Sequence, residues 1–284
     1  MPSCSGLIFQ LDHSLGYFKR AKMKTFLGVA IYAAKEAGEI QKERLFHEME
    51  MEPKGEGDLV TEVDRVCDER IKEIIHTHFP DHDILSEEGS IGDGSPYKWI
   101  IDPLDGTLNY AHAYPFFCVS IGLEIEGEVA LGVIYDPIRD ELFWAEKGKG
   151  SHLNGKEIRV SKTEELKRAL IAVGFPKDYR RSPVDNFDHF RNMMVDSQAV
   201  RRDGSMALDL CYVAAGRLDG FWGLKLDPWD IAAGKILVEE AGGTVTDFDN
   251  KPIGTSSLEI AASNGLIHKE LTRVLRQGKR SGRI

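Results

Sequence analysis

One ten-residue segment combines the ligands of a cation with backbone donors for an anion. The segment Ile101–Tyr110 reads Ile-Asp-Pro-Leu-Asp-Gly-Thr-Leu-Asn-Tyr and places Asp102 and Asp105 three residues apart. The apolar residues just before it predict the end of a buried strand. Carboxylates are ligands of hard divalent cations, and Gly106 with Thr107 could turn N–H groups outward to bind phosphate. The segment therefore predicts metal and phosphate side by side, as metal-assisted phosphate-ester hydrolysis requires.

Length and composition describe a globular chain with its own core. The sequence has 284 residues, of which 42% are hydrophobic, and this fits one large α/β domain or two small ones in close contact. The formal net charge of −10 argues against direct nucleic-acid binding. An anionic ligand would then need local positive charge, which a bound metal can supply.

Cysteine usage and hydropathy favour a cytoplasmic protein. The four cysteines are Cys4, Cys67, Cys118 and Cys211. No two of them form a C-x-x-C pair, which predicts free thiols in a reducing compartment. No apolar run reaches the length of a membrane span, and the first residues lack the apolar stretch of a signal peptide. We predict an N-terminal extension of unknown role over residues 1–22 and one domain over residues 23–284, with a soft subdomain boundary near residues 148–155.

The apolar periodicity indicates helices and strands in mixed order. Helical spacing begins near Thr25 and again at Thr61, where Thr61 is a candidate N-cap and Asp64 lies in the first turn. Residues 117–145 predict strands, and Asn154-Gly155 predicts a hairpin turn. The polar stretches 54–58 and 89–96 are predicted as loops. Predicted strands follow at 169–173, 198–202, 244–246 and 259–262, and predicted helices at 185–195, 205–215, 229–241 and 266–276. Such an order indicates layered helices and sheets.

Three further acids have ordinary explanations when each is taken alone. Asp64 and Asp230 lie in first helical turns, where a negative charge interacts favourably with the helix dipole. Glu87 alone would be a solvated loop acid, and Asp105-Gly106 alone could be a turn.

Four landmarks in the right order change that interpretation. They are Lys54…Asp58–Asp64, Ser86–Glu88, Trp99–Tyr110, and Trp229–Gly234 followed by Glu240–Gly243. Together they resemble the inositol monophosphatase family, and the resemblance runs from about Thr25 to the C-terminal helix. It implies an α/β (α+β) fold, a layered αβαβα sandwich of the sugar-phosphatase type. It also implies two or three Mg²⁺ ions with Mn²⁺ as an alternative, a homodimer and sensitivity to lithium.

The resemblance also implies a role for each matching residue. The metal ligands would be Glu87, Asp102, Asp105, Asp230 and the carbonyl of Leu104. The catalytic residues would be Asp64, Thr107 and Glu87. The substrate-binding residues would be Asp105, Gly106, Thr107, Arg201, Gly204, Ser205 and Asp230, and we add Lys225 for its charge. Asp64 would pair with Thr107 to orient the attacking water. Converging anions repel one another unless cations neutralise them, and metal-bound water is acidic enough to supply a nucleophile at neutral pH.

Two positions decide between related activities. Asp105-Gly-Thr-Leu108 also resembles the D-x-D-G-T motif of haloacid-dehalogenase phosphatases, but the nucleophile position holds Pro103, so that mechanism is rejected. In inositol-selective family members a glutamate often stands seven residues before the aspartate that matches Asp230. Here that position is Gly223, and nearby Lys225 could meet a second phosphate. Inositol monophosphate therefore remains one substrate, and fructose 1,6-bisphosphate or a broad range of sugar phosphates remains the alternative. A further alternative is an interaction protein of transcription or ribosome assembly.

Overall fold

A computed structural model describes residues 25–45, 51–55, 58–182 and 185–278, with the backbone alone for residues 51–61. The predicted extension over residues 1–22 lies outside the described residues. The described helices are α1 Phe26–Arg44, α2 Glu62–His78, α3 Thr107–Ala111, α4 Phe187–Asp196, α5 Met206–Ala214, α6 Pro228–Glu240 and α7 His268–Leu275. The described strands are β1 Met51–Gly55, β2 Asp58–Thr61, β3 Asp83–Ser86, β4 Gly89–Ile91, β5 Tyr97–Asp105, β6 Cys118–Ile125, β7 Glu128–Asp136, β8 Glu141–Glu146, β9 Ser151–Leu153, β10 Lys156–Ile158, β11 Leu170–Gly174, β12 Ala199–Arg201, β13 Gly220–Leu224, β14 Thr244–Thr246 and β15 Glu259–Ser263.

The strands form two large sheets and one separate hairpin. The first sheet has eight strands in the order β10-β9-β8-β7-β6-β5-β3-β4, and only its β3–β5 pair is parallel. The second has five strands in the order β12-β11-β13-β15-β14, with β11 parallel to both of its neighbours. The hairpin pairs β1 with β2. Sheet membership changes between Ile158 and Leu170, and the boundary predicted near residues 148–155 stays a prediction.

Three apolar cores join these sheets to helices in five layers. One core packs α1 and α2 on the eight-stranded sheet. A second places α5 and α6 between the two sheets, and a third packs α4 and α7 on the outer face of the five-stranded sheet. The layer order is therefore αβαβα, and the predicted mixed α/β class is confirmed. None of the described helices is both long and apolar enough to cross a membrane.

Two glycines facing each other bring α6 unusually close to the eight-stranded sheet. Gly122 of β6 and Gly132 of β7 are register partners. A Cβ atom on Gly122 would lie 2.9 Å from the Cβ of Ala232, and one on Gly132 would lie 2.6 Å from the carbonyl oxygen of Ala233. The helix that carries Asp230 therefore packs directly on the backbone of β6 and β7.

Most predicted elements are confirmed within a few residues. Thr25 caps α1 by accepting a hydrogen bond from the N–H of Gly28 at 3.1 Å. Asn154 and Gly155 both have positive φ, as the predicted hairpin turn requires. Four strands fall in places where the sequence predicted loops or nothing. The β1–β2 hairpin and β4 occupy the two polar stretches, and β13 was not predicted because all five of its residues are buried and show no alternation.

Candidate active site

A bulge in β5 turns Asp102 and Asp105 towards the same face. In a regular strand residues three apart point to opposite faces. Asp102 pairs with Ser120 and Asp105 with Cys118, so β5 advances three residues while β6 advances two. The extra residue restores the alternation, because Ser120 and Cys118 share a face. Pro103 lies inside the bulge, where a missing N–H breaks no ladder hydrogen bond. The two carboxylates therefore act as a pair.

Asp105 is bound by the first turn of α5. Its Oδ2 atom accepts hydrogen bonds from the Oγ of Ser205 at 2.6 Å and the N–H of Ala207 at 2.8 Å. Ser205 is the N-cap of this helix and also accepts from the N–H of Leu208. Burial raises the pKa of Asp105, and the hydrogen bonds from Ser205 and Ala207 oppose that effect. The predicted substrate residue Ser205 thus holds a predicted metal ligand in place.

Asp102 is the centre of the acidic cluster. Its Oδ1 accepts a hydrogen bond from the N–H of Leu104 at 3.0 Å. Burial raises the pKa of Asp102 well above its usual value, and the negative charges of Glu87, Asp105 and Asp230 raise it further. Three of the four predicted carboxylate ligands thus surround the fourth closely enough to repel it.

Asp230 serves the helix and the cluster together. It occupies the third position of α6, and its Oδ2 accepts from the N–H of Asp227 at 2.8 Å in a capping box. Burial raises the pKa of Asp230 well above its usual value. The structural explanation available for this acid from sequence alone is therefore correct, and the same residue still lies in the acidic cluster.

Asp64, Thr107 and Leu104 form a short polar chain beside the cluster. The Oγ1 of Thr107 lies 3.1 Å from the Oδ1 of Asp64 and 3.1 Å from the carbonyl oxygen of Leu104. Asp64 is buried in the first turn of α2. Thr107 begins α3 just after Gly106, whose φ of 96° lies in the left-handed region. A Cβ at Gly106 would also lie 3.0 Å from the carbonyl oxygen of Phe116, so only glycine fits this turn.

The remaining predicted substrate residues lie on the five-stranded side. Arg201 is exposed, and its guanidinium donates to the carbonyl oxygen of Val200. The ammonium of Lys225 donates to the carboxylate of Asp178 at 2.7 Å. A Cβ on Gly204 would lie 2.9 Å from the side chain of Asn109. Arg201 and Lys225 thus have protein partners here, and their roles towards substrate stay predictions.

Two residues that the sequence did not single out also touch the site. Asn109 donates to the carbonyl oxygens of Phe116 at 2.7 Å and Asp203 at 2.8 Å, and the second bond joins α3 to the loop between β12 and α5. Lys177 donates to the Oε1 of Glu87 at 2.9 Å. Asn109 lies inside the signature segment, whereas a single lysine in a polar loop carries no signal of its position.

The carboxylates are turned towards protein donors in this structure. Within the described part of the chain, no three His, Cys, Asp or Glu side chains are gathered closely enough to share one ion as they stand. Asp105 faces Ser205, Asp230 faces a backbone N–H, and Glu87 faces Lys177. The cluster is assembled electrostatically, but its oxygens do not yet surround a single point.

A sequence model of known proteins matches this arrangement over nearly the whole chain. The model described as "Inositol monophosphatase family" matches residues 22–280. The chain belongs to the inositol monophosphatase family. Members of this family are phosphatases of small phosphate substrates and are generally metal-dependent, so this chain belongs among the phosphatases.

Individual relatives agree with that membership. The chain is 44% identical to an inositol-1-monophosphatase from Synechocystis over 261 residues, which cover 91% of each chain. It is 41% identical to a fructose-1,6-bisphosphatase/inositol-1-monophosphatase from Aquifex aeolicus, covering 90% of this chain and 97% of the relative. It is 40% identical to a protein named Nus factor SuhB from Pseudomonas aeruginosa, covering 88% and 95%.

Solved structures show the same fold. An inositol monophosphatase from Anabaena superposes with a TM-score of 0.82 at 46% identity, covering 89% of this chain and 96% of that structure. The layered αβαβα architecture therefore belongs to the family as well as to this chain.

Proposed function

We propose that this protein hydrolyses phosphomonoesters of inositol and other small polyols or sugars, with Mg²⁺ as its metal. The observation that carries the proposal is the convergence of Glu87, Asp105 and Asp230 on Asp102, beside the Asp64–Thr107 pair. Four carboxylates in one partly buried cluster favour cations strongly, because each negative charge opposes ionisation of the others.

The residues of the cluster fit a hard divalent cation. All four side chains offer carboxylate oxygens, and the carbonyl of Leu104 adds a fifth oxygen donor. These are the ligands that Mg²⁺ takes, and Mn²⁺ accepts the same set. Small rotations of the Asp105, Asp230 and Glu87 carboxylates would be needed to gather them. Bound cations of this kind lower the pKa of water and stabilise charge on phosphoryl oxygens.

Thr107 and Asp64 are suited to orient the attacking water. A hydroxyl has one proton, so Thr107 donates either to Asp64 or to the carbonyl of Leu104, which lie at equal distances. If the carbonyl of Leu104 held a cation, the hydroxyl proton of Thr107 would be directed to Asp64. The lone pairs of Thr107 then accept a hydrogen bond from water. Asp64 would thereby fix both the direction of the hydroxyl and the position of the nucleophile.

The turn after β5 is suited to hold the phosphate. Gly106 and Thr107 follow the two aspartates directly, and the left-handed Gly106 turns the chain into α3. Backbone N–H groups at such a turn bind phosphate oxygens without side-chain charge. Ser205 and Gly204 lie in the opposite loop, to which Asn109 of α3 is joined by donating a hydrogen bond to the carbonyl oxygen of Asp203 at 2.8 Å.

A broad substrate range is favoured over strict inositol selectivity. Gly223 is buried in β13, and a Cβ there would lie 3.0 Å from Leu226, so no acid is available at this position to bind substrate hydroxyls. The relative from Aquifex aeolicus carries both activities in its name. We therefore propose that sugar phosphates, including fructose 1,6-bisphosphate, are accepted alongside inositol monophosphates.

The test is a phosphate-release screen with and without Mg²⁺. The substrates are inositol 1-phosphate, fructose 1,6-bisphosphate, glycerol 2-phosphate and a nucleoside monophosphate. We expect Mg²⁺-dependent release from the first three, with kcat/KM values within about a hundredfold of each other, because they share the reacting phosphate and no acid at position 223 selects among their hydroxyl groups. Release without metal would refute the metal proposal, and a strong preference for inositol phosphate would refute the broad range.

Three further properties are proposed, the first two from family membership alone and the third from cysteine usage and hydropathy. We propose that lithium inhibits the reaction and that the protein is a homodimer in the cytoplasm. Lithium titration of phosphate release and light scattering of the purified protein test the first two directly.

A second candidate function is a role as an interaction protein in transcription. It is favoured by the 40% identity to a protein named Nus factor SuhB. We expect the two functions to use different surfaces, so a variant without phosphatase activity should keep any binding to a transcription complex. Loss of both together would show that the binding needs an intact cluster.

A further inference from the structure

A short segment after β11 on the five-stranded side faces the acidic cluster on the eight-stranded side, and the space between them is here called the cleft. Residues 176–182, here called the rim turn, follow β11 and are closed by backbone hydrogen bonds. The N–H of Tyr179 donates to the carbonyl of Pro176 at 3.2 Å, and that of Ser182 donates to the carbonyl of Asp178 at 3.0 Å. The rim turn therefore has a defined conformation of its own.

Two cations fasten the rim turn to the body of the second sheet. The ammonium of Lys225 donates to Asp178 at 2.7 Å and to Ser182 at 2.6 Å. The guanidinium of Arg202 lies 5.2 Å from the ring centre of Tyr179 and 5.0 Å from that of Phe175, a stabilising cation–π arrangement. The backbone of Lys177, between these anchors, has little freedom to move away.

Lys177 points from the rim turn across the cleft to the eight-stranded side. Its ammonium lies 2.9 Å from the Oε1 of Glu87, whose side chain is only 12% exposed. Burial raises the pKa of Asp230, and the positive charge of Lys177 acts in the opposite direction. The ammonium therefore lies close to two carboxylates of the acidic cluster, contributed by different layers of the fold.

We propose that Lys177 is a positioning residue. Its ammonium, held in place by the rim turn, is a counter-ion of Glu87 and competes with the metal for the Glu87 carboxylate. This inference rests on the proposed function, in which Glu87 is a metal ligand. An ion that takes Glu87 must displace the ammonium or bind beside its charge.

Simple electrostatics gives the direction of the effect. A cation tethered within a few ångströms acts at a high effective concentration, and the neighbouring anchors keep it there. Two positive charges about 4 Å apart repel each other appreciably even under partial solvent screening. Lys177 therefore weakens metal binding, and in return it stabilises the cluster when no metal is present.

The decisive experiment is calorimetric titration of metal-free protein with Mg²⁺ in the absence of substrate. We compare the wild type with Lys177→Met, Lys177→Arg and Lys251→Met. Lys251 pairs only loosely with Asp249 at 3.6 Å on the surface, so its variant changes net charge equally. We expect Lys177→Met to bind Mg²⁺ about tenfold more tightly, because the repulsion is gone. Lys177→Arg and Lys251→Met should stay within about twofold of the wild type, because the local charge is kept.

Thermal melting provides a second measurement that does not depend on enzymatic turnover. With a chelator present, Lys177→Met should melt at a lower temperature than the wild type, because the ion pair between Lys177 and Glu87 is gone. Saturating Mg²⁺ should raise its melting temperature by more than it raises that of the wild type, because tighter binding stabilises the native state more.

The outcomes separate this inference from the function on which it rests. Unchanged Mg²⁺ affinity in Lys177→Met, with a wild type that binds Mg²⁺ and releases phosphate, overturns the role of Lys177 alone. A wild type that neither binds Mg²⁺ nor hydrolyses phosphate esters overturns the proposed function. Equal tightening in Lys251→Met would show a general charge effect and would also overturn the inference.

Discussion

The two sides of the cleft hold their charged groups in different ways. On the eight-stranded side, Asp102 and Asp105 are fixed by strand register and by hydrogen bonds from the backbone N–H groups of Leu104 and Ala207. On the five-stranded side, Lys177 and Lys225 lie outside the strands and are held by other side chains. Backbone contacts survive most substitutions, whereas ion pairs depend on both partners. The first side is therefore suited to unvarying chemistry, and the second to adjusting affinity and substrate choice.

Helix α6, like α5, lies where the two sides meet. It lies between the sheets, packs on the backbone of Gly122 and Gly132, and carries Asp230 in its first turn. Substitutions can test this difference at the acids, at α6, on the far side of the five-stranded sheet and at the contact between the two sides.

The largest effect is expected from Asp102→Asn. The acid at the centre of the cluster would lose its charge while its shape stays the same, so cation binding and activation of water should both fail. We expect kcat to fall at least about a thousandfold, as for loss of a group that stabilises transition-state charge. Phosphate release at saturating Mg²⁺ measures this. Wild-type turnover in this variant would show that the cluster is not the active site.

A smaller loss is expected from Gly132→Ala, through stability. The added methyl would lie 2.6 Å from the carbonyl of Ala233, so α6 must move away from the sheet. We expect the free energy of unfolding to fall by about 2–3 kcal/mol, as for overpacking a dense core. Chemical denaturation measures it. Gly254→Ala is the matched control, because a Cβ there meets nothing within 4 Å. Equal losses in both variants would argue against the close approach of α6.

Acid sensitivity is expected in the five-stranded side, far from the chemistry. His268 is buried in α7 and hydrogen-bonds the hydroxyls of Thr246 at 2.8 Å and Ser263 at 2.9 Å. Burial lowers the pKa of His268 to about 4. Because the folded-state pKa lies below the unfolded one, this residue costs no stability above about pH 6.5. As the pH falls from about 6.5 towards about 4, the unfolded state takes up a proton on His268 that the folded state does not, so the free energy of unfolding decreases.

The matched variant for this residue is His268→Gln, which cannot take up a proton. We expect the wild type to lose about 2–3 kcal/mol more stability than the variant between about pH 7 and pH 4. Denaturation curves at several pH values measure the difference. Parallel pH profiles would mean that His268 does not titrate in this range.

The smallest effect tests the contact between the two sides. Ser205→Ala removes the 2.6 Å hydrogen bond that holds the Asp105 carboxylate. We expect a loss of about 10- to 100-fold in kcat/KM or metal affinity, as for groups that orient metal ligands. Ser151→Ala is the control, because the hydroxyl of Ser151 is buried without a hydrogen-bond partner among the described residues. Unchanged kcat/KM and metal affinity in Ser205→Ala would show that the N–H of Ala207 is enough to position Asp105.

Much of the fold and the acidic half of the site could be predicted from sequence. Amphipathic helices and the Asn154-Gly155 turn follow local rules, and Asp102 and Asp105 lie in a compact motif. Predictions failed where order depends on pairing alone. Strand β4 is exposed on all three residues, and β13 is buried on both faces, so neither shows the alternation that identifies a strand.

The cationic half of the site could not be predicted in the same way. Lys177 is far in sequence from Glu87, and nothing in the residues around it indicates that its side chain crosses the cleft. Lys225 was singled out for its charge, but its partners Asp178 and Ser182 lie more than forty residues earlier in the chain. Long-range ion pairs between loops leave no periodic or local trace in a single sequence.

The bulge in β5 has a consequence for how the chain can change by insertion or deletion. Asp102 and Asp105 share a face only because the strand holds one residue more than its partner between them. Inserting one residue into β6 between Cys118 and Ser120 would let the two strands pair without a bulge, and the two aspartates, still three residues apart, would then point to opposite faces. Among distant sequences, the number of residues between the two acids should therefore be compared with the number between the residues opposite them in β6, because the two lengths together decide whether the acids share a face.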